Sequence, residues 1–459
     1  MPAPVIAIYD IGKTNKKLFL FNEDYKIVGE WPAQFGEWWE EDGDPCADLE
    51  HLSAFIRNSF HELATSNEYS VKAINVAAYG ASFVYVDSQG EAIAPLYNYL
   101  KSYPEELKKR FYETYGGEVE FSFRTASPVL GSLNSVVQLD RIKYEKPGLF
   151  RKIKYALHLP QFVSSLLTGK AYSEVTSIGC HTNLWDFGKN SYHEWVSKEG
   201  VAGKLPPLVP SDNVSALSYA GKSFHVGVGL HDSSAALIPY LLSFTDPFVM
   251  ISTGTWCISL NPFNHEPLTE DELASDCLCY MQYTGKPVKA SRLFAGQMHD
   301  AQVARIAAHF HLQPDFFANV AFNPELYPAL TKHDELPWTV DRRPWTLDAS
   351  SNDQRFLYES SSAEESYHRL MFYIMTLQHF STKLVLHGSV KNFYVDGGFS
   401  QNPVYMNMLA SFFPDHQVFA ASMGNATALG AALAIHDQWN TKTIFHDLIA
   451  LKHYKKGGK

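Results

Sequence analysis

The feature that most narrows the fold is a recurrence. Val5-Ile6-Ala7-Ile8-Tyr9 leads into the polar turn Asp10-Ile11-Gly12-Lys13-Thr14-Asn15, and Lys17-Leu18-Phe19-Leu20-Phe21 follows as a second apolar run. In the second half, Phe248-Val249-Met250-Ile251 leads into Ser252-Thr253-Gly254-Thr255, and Trp256-Cys257-Ile258-Ser259-Leu260 follows. Short apolar runs bounded by Gly, Thr and Asn read as strands joined by tight turns. Behind the first pair, Lys26-Ile27-Val28 predicts another strand, and Leu49, Leu52, Phe55, Ile56, Phe60 and Leu63 predict an amphipathic helix over 48–65. Ile74 to Tyr79 predicts a buried strand, and Phe83 to Val86 with Glu91 to Ala94 a hairpin. Behind the second pair the pattern predicts a helix over 363–387, a strand Asn392 to Val395, and helices over 401–412 and 425–437. Two halves of this kind predict an α/β protein built on a repeated domain, with the joint between Tyr240 and Pro247. At 459 residues the chain has room for two domains, expected at 1–243 and 244–459.

Composition removes several function classes. Hydrophobic residues at 46% and charged residues at 19% supply large cores and argue against a disordered chain. Lys and Arg number 38 against 49 Asp and Glu, a net charge of −11, which repels phosphate backbones and argues against a nucleic-acid partner. The basic cluster Lys452-His453-Tyr454-Lys455-Lys456 reads as a frayed, solvated end. The N-terminus lacks the basic region of a secretory signal, and no apolar run approaches the ~20 residues of a membrane span. Five scattered cysteines, Cys46, Cys180, Cys257, Cys277 and Cys279, fit a reduced cytoplasmic protein. Cys277 and Cys279 lack the second pair that a closed zinc site needs.

Four segments carry possible chemistry. In the first turn, backbone N–H groups, the Thr14 hydroxyl and the Asn15 amide can converge on an anion, and Asp10 can hold a magnesium ion beside it. Taken alone, the segment reads equally as an ordinary hairpin with a glycine at positive φ. Thr253, Gly254 and Thr255 repeat the arrangement in the second half. In Gly227-Val228-Gly229-Leu230-His231-Asp232-Ser233-Ser234, a strand with glycines at its end meets a helix start. Asp232 there is either an N-cap or a general base toward a hydroxyl, and His231 is read as structural. Asp396-Gly397-Gly398-Phe399-Ser400-Gln401-Asn402 puts two glycines where a flat ligand can approach backbone, although such a junction is also a common tight turn.

Taken together and in this order, these segments resemble the FGGY carbohydrate kinases, over about residues 5 to 437. Leu159-Pro160-Gln161-Phe162 and Leu167-Thr168-Gly169-Lys170 are similar to that family as well. The resemblance implies two actin-like, ribonuclease-H-type domains around a central cleft, and phosphoryl transfer from ATP with Mg2+ to a sugar hydroxyl. Position by position it implies Asp232 as catalytic base and Asp10 as metal ligand. It assigns Lys13, Thr14 and Asn15 with Thr253, Gly254 and Thr255 to the phosphates, and Gly397, Gly398, Gln401 and Asn402 to the adenosine, with Arg292 to Gly296 contributing.

Within the family, Gly254-Thr255-Trp256, Tyr79-Gly80-Ala81-Ser82-Phe83 and Leu133-Asn134-Ser135 are similar to segments of the rhamnulokinase and fuculokinase branch. That branch implies a 6-deoxy-ketohexose, with Gly80, Ser82, Asn134 and Asp232 at the sugar. The chain departs from common members at Tyr97-Asn98-Tyr99, where an Asp is frequent, and at Gly80-Ala81, where xylulokinases carry Met-His. It also departs at Asn425, which replaces a frequent Glu. A kinase of xylulose, ribulose or glycerol is the alternative, and a non-catalytic sugar sensor on the same scaffold is the reading from another class. The expected partner is a small sugar.

Overall fold

The computed structural model describes residues 2–40, 43–326, 330, 360–423, 425–444 and 448–455. The chain divides into two compact units, the first comprising Met1–Ser243, Cys279–Pro287 and Asn425–His446, the second Phe244–Leu278, Val288–Gly424 and Asp447–Lys459.

The first unit is built on the sheet Val214–Tyr219, Lys222–Gly227, Ser70–Ala78, Pro4–Ile11, Lys16–Asn22 and Ile27–Ala33, in that spatial order. Pro4–Ile11 pairs antiparallel with Lys16–Asn22 and parallel with Ser70–Ala78, so it is buried on both faces, as its unbroken apolar run demands. Leu49–Thr65 forms the predicted helix. Asp48 caps it by accepting from His51 N at 2.9 Å, worth about 1 kcal/mol, and Leu52, Ile56, Phe60 and Leu63 face the sheet. Leu159–Thr168 packs into the same core, opening with Pro160 in its first turn and stopping at Gly169 in the left-handed region (φ 65°).

A second apolar core lies in this unit, around Phe83, Phe111, Phe121, Val137 and Trp195. Periodicity did not foretell it, because its helices are short and its sheets have two or three strands. Phe83–Val86 takes part in the expected hairpin through the Val86–Ala92 bridge, and it also pairs with Tyr155–His158 from far along the chain.

In the second unit the strand order is Pro287–Leu293, Cys257–Asn261, Phe248–Thr253, Asn392–Gly397, Gln417–Ser422 and Ala450–Tyr454. The helix Ala363–Val385, capped by Ser362 on Glu365 N, buries Leu370, Met371, Ile374 and Met375 in its core. Lys452, His453 and Tyr454 are not a frayed end. They belong to the last strand and pair with Ala420, Phe419 and Val418 in that order, while Lys456 to Lys459 lie outside the described residues.

The expected second domain of 244–459 also differs from the observed unit, since Cys279–Pro287 and Asn425–His446 group with the first. For Asn425–His446 the reason is the small-residue helix Ala426–Ala434, which lies against Asp232–Ser243. A Cβ on Gly430 would fall 1.8 Å from the Ala235 carbonyl oxygen. Buried Asn75 fixes the arrangement by donating to Ala431 O at 2.8 Å and accepting from Gly229 N at 3.2 Å.

Candidate active site

Asp232 is placed by the sheet. The strand Ser70–Ala78 has Ile11 opposite Ala78 on one side and His231 opposite Ala78 on the other. Asp10 and Asp232 therefore sit near the ends of strands that flank a common neighbour. The turn that aims Asp232 needs glycine. Gly229 has φ 86°, and a Cβ there would stand 2.7 Å from Pro160 O.

The helix Asp232–Ser243 begins at Asp232 itself. Its Oδ1 accepts from Ser233 N at 2.6 Å and Ser233 Oγ at 3.2 Å, and His231 Nε2 lies 3.2 Å away. Oδ2 accepts no hydrogen bond from the described residues, and a third of the side-chain surface stays open (33%). Surrounding protein raises the Asp232 carboxyl above its ordinary pKa, while the Ser233 hydrogen bonds and nearby His181 pull it part of the way back. Burial pushes His231 down to about 3, so it is a neutral imidazole. Asp10 is raised to about 7, first by burial and then by the charge of Asp232, with Lys17 opposing.

The 12–15 turn closes through Gly12 N to Asn15 O at 2.9 Å. Thr14 and Asn15 are exposed. Lys13 is drawn aside, its Nζ donating to Asn98 Oδ1 at 3.1 Å and lying 4.6 Å from the Tyr99 ring centre. Lys16, not foreseen, places its ammonium on Lys13 O at 2.8 Å and supplies positive charge beneath the turn.

Of the expected sugar contacts, Gly80 stands against Cys180 and His231, where a Cβ would be 2.9 Å from Sγ. The other two are part of the framework. Ser82 is buried, its hydroxyl donating to Tyr97 O at 3.4 Å. Asn134 is fully buried, its amide donating to Ser127, His181 O and Asn183 while its Oδ1 accepts from Leu130 N. It holds the loop that carries His181 and does not face open space.

In the second unit, Thr253, Gly254 and Thr255 form a turn closed by Gly254 N to Trp256 O at 2.9 Å. The Thr253 hydroxyl donates to Asp396 O at 2.6 Å and accepts from Phe399 N at 3.0 Å, so it ties strands together and does not reach outward. Thr255 is exposed, and its carbonyl accepts from Gly296 N and Gln297 N at the start of the helix Ala295–His309. Gly397 (φ 87°) lies where a Cβ would be 1.9 Å from Thr253 O, whereas a Cβ on Gly398 would meet open space. Asn402 caps the helix Pro403–Phe412 by accepting from Val404 N and Tyr405 N, and its Nδ2 donates to the Tyr367 hydroxyl. Gln401 Nε2 donates to Ser400 Oγ at 3.3 Å. Arg292 pairs with Asp276 and lies 5.2 Å from the half-exposed Trp256 ring, which packs at a tilt of 40° against Phe294.

Sequence reasoning missed Lys16, Cys180 and His181, it reached Phe294 only as part of the stretch Arg292 to Gly296, and it took His231 for a framework residue. Only His231 carried a local signal, its place next to Asp232.

Comparison with known proteins matches this geometry to one family. Residues 5–238 match the model of the FGGY family of carbohydrate kinases, N-terminal domain, and residues 245–443 that of carbohydrate kinase FGGY, C-terminal domain. A rhamnulokinase of Yersinia pestis (strain Pestoides F) is 25% identical over 239 residues, 49% of this chain and 47% of the relative. The aligned chain thus spans about half the length of the curated relatives it matches. In fold, a carbohydrate kinase from Novosphingobium aromaticivorans is similar at TM-score 0.78 and 23% identity, covering 99% of this chain and 95% of that one. A ligand-bound xylulose kinase from Lactobacillus acidophilus is similar at TM-score 0.78 and 14% identity, covering 99% and 94%. These likenesses show a two-domain actin-like α/β fold, and among the described residues no helix is long and apolar enough to cross a membrane. Strand, turn and helix junctions read from the sequence, the arrangement found in space and the two domain matches converge: this chain belongs to the FGGY family of carbohydrate kinases.

Proposed function

We propose that this protein transfers the γ-phosphoryl group of ATP to a hydroxyl of a ketose, with Asp232 as general base. The observation that carries this reading is the state of the Asp232 carboxylate. One oxygen is held by Ser233 and by His231, the other accepts nothing from the described residues, and burial raises the carboxyl above its ordinary pKa, which makes the carboxylate a stronger base. Neutral His231 with its proton on Nε2 donates to Asp232 Oδ1 and keeps the second oxygen aimed at a sugar hydroxyl. That oxygen receives the hydroxyl proton as the sugar oxygen attacks phosphorus.

The second unit is assigned to the nucleotide. Gly397 and Gly296 press backbone against the 253–255 turn so closely that a Cβ at either would lie 1.9 Å from a carbonyl oxygen. The result is a cradle for phosphates and base without side-chain bulk. Asp10 is assigned to Mg2+. Its high pKa beside Asp232 marks a carboxylate pair in need of a cation, and an all-oxygen site suits that hard ion. A bound magnesium ion offsets charge on the phosphoryl oxygens. The kinship with rhamnulokinases favours a 6-deoxy-ketohexose such as L-rhamnulose or L-fuculose. This reading places the reaction in the cytoplasm.

The test is ADP release from magnesium-ATP across L-rhamnulose, L-fuculose, L-ribulose, D-xylulose and glycerol. One fast deoxy-ketohexose is expected. Fast D-xylulose or glycerol would retain the kinase and overturn the sugar, and silence on all five would favour a sugar sensor. Asp232→Ala is expected to lower turnover by about 10²–10⁴-fold while ATP still binds, read by titration calorimetry. Normal turnover in that variant would remove the role given to Asp232.

A further inference from the structure

Among the described residues, one group of thiol and imidazole side chains converges closely enough to hold a metal ion. Cys180 and His231 are buried and His181 is half-buried, and the sulfur and one ring nitrogen of each histidine all lie within 4.8 Å of one another. All three belong to the first unit. Cys180 and His181 follow the short helix Val175–Ile178, and His231 ends the strand Leu230–His231. The two segments are locked together. Buried Glu174 accepts from Thr176 N at 2.8 Å and Ser177 N at 3.1 Å, and Thr176 Oγ1 accepts from His231 N at 3.0 Å.

Each group has the outer support that orients a metal ligand. His181 Nδ1 donates to the Leu133 carbonyl at 3.0 Å, which puts the lone pair of a neutral ring on Nε2. Asn134 donates to His181 O at 2.8 Å and fixes its backbone. The Cys180 thiol donates to Ser177 O at 3.2 Å, and nearby Ala81 is held in the left-handed region (φ 74°), a strained place for a residue with a Cβ. Gly80 keeps the space beside the ligands clear, since a Cβ there would stand 2.9 Å from Cys180 Sγ and 3.1 Å from His231 Nε2. The two imidazoles are nearly perpendicular at 85°, and the Tyr280 ring stacks on His231 with centroids 5.5 Å apart.

We infer that this pocket binds one borderline-soft divalent cation, of which zinc is the type, through Cys180, His181 and His231, with Asp232 as fourth ligand. On binding, the His231 proton moves from Nε2, where it faces Asp232 in the empty site, to Nδ1, which has Ser234 Oγ at 3.3 Å, and the Cys180 thiol releases its proton to solvent. Two neutral imidazoles, one thiolate and one carboxylate then balance the charge of such an ion, so the filled site is neutral. A sulfur and two ring nitrogens select against magnesium, which takes oxygen ligands. Zinc bonds of about 2.0–2.3 Å place neighbouring ligands roughly 3.3–3.8 Å apart, so Cys180, His181 and His231 draw inward by about 1 Å on binding. Asp232, whose Oδ1 lies 3.2 Å from His231 Nε2, turns to the ion from outside that group of three. The consequence for activity rests on the reading of Asp232 as base: an ion that takes the carboxylate blocks phosphoryl transfer at the sugar and leaves nucleotide binding intact.

The experiment titrates the full chain with cobalt(II) as a spectroscopic probe and then with zinc. One equivalent of cobalt is expected to give thiolate-to-metal charge-transfer absorption in the near ultraviolet and the visible bands of a tetrahedral ion, which zinc abolishes. Cys180→Ser is expected to lose the charge-transfer absorption, and both it and His181→Asn to bind zinc about 10–100-fold more weakly. The zinc concentration for half inhibition, taken against each variant's own uninhibited rate, should rise by the same factor. Absence of the charge-transfer absorption in the unaltered protein, or its persistence in Cys180→Ser, overturns the site. Zinc bound without inhibition overturns the blocking role. The cobalt spectrum needs no turnover, so a fully active Asp232→Ala would refute the base while leaving the metal site to be decided by absorption.

Discussion

The turn at residues 12–15 and the turn at 253–256 are built on the same scheme and do different work. Each joins a strand that has a parallel neighbour to an antiparallel one, and each closes through a glycine N–H, Gly12 to Asn15 O and Gly254 to Trp256 O, both at 2.9 Å. Beyond closure they part. The first turn carries charge: Lys16 donates to its carbonyls at Lys13 and Thr14, and Asp10 precedes it. The second turn carries no ionisable side chain and is instead pressed by glycines, with Gly296 against Gly254 O and Gly397 against Thr253 O. A shared hairpin therefore does not fix a shared chemistry. What the rest of each unit sets against the hairpin decides whether it offers charge or shape.

The strongest way to break this comparison is to add a methyl group at each turn. Gly397→Ala combines φ 87° with a Cβ 1.9 Å from backbone, and it is expected to lower stability by more than about 3 kcal/mol in urea unfolding. Gly12→Ala meets Asn15 O at 2.9 Å within its own turn, and about 1–2 kcal/mol is expected because that turn can shift. Equal losses would mean that the second turn is no tighter than the first. Next in size is Thr253→Val, which removes the donor to Asp396 O and the acceptor for Phe399 N, at about 1–3 kcal/mol. Thr255→Val is exposed and should stay within about 0.5 kcal/mol while weakening ATP binding measured by calorimetry.

The contrast also shows what could be read in advance. Both hairpins, the helix at Leu49–Thr65 and the start of the helix at Asp232 were legible, because each rests on local signals of periodicity, caps and turn residues. Long-range partners were not. Nothing near Thr253 says that its hydroxyl faces Asp396 O, and nothing near Asn134 says that its amide is saturated by Ser127, His181 and Asn183. The grouping of Ala426–Ala434 with the first unit depends on a helix contact across nearly the whole chain, visible in sequence only as a run of Ala and Gly. Cys180 and His181 lie far from His231 in sequence, so their convergence needed the fold.

A pH-dependent effect sharpens the charge side of the comparison. Asp10 has a pKa of about 7 in the folded protein against an ordinary 3.8. Its folded value is raised, so between about pH 4 and about pH 7 the folded carboxyl keeps a proton that the unfolded chain has released. Stability contributed by that proton is present at low pH, declines as pH rises through the window and is gone above about 7. Asp10→Asn removes the slope. Without magnesium, its melting midpoint relative to the unaltered protein should therefore climb from pH 4 to pH 7 and then level. The gain should be on the order of 1–2 kcal/mol once solvent screening is allowed for. Added Mg2+ should flatten the slope of the unaltered protein and leave Asp10→Asn unmoved, because a cation at Asp10 does the work of the proton. The loss caused by Thr253→Val should be the same across this pH range, since its turn holds no titrating group. A sloping loss there, or a flat difference for Asp10→Asn, would erase the division between a charged turn and a shaped one.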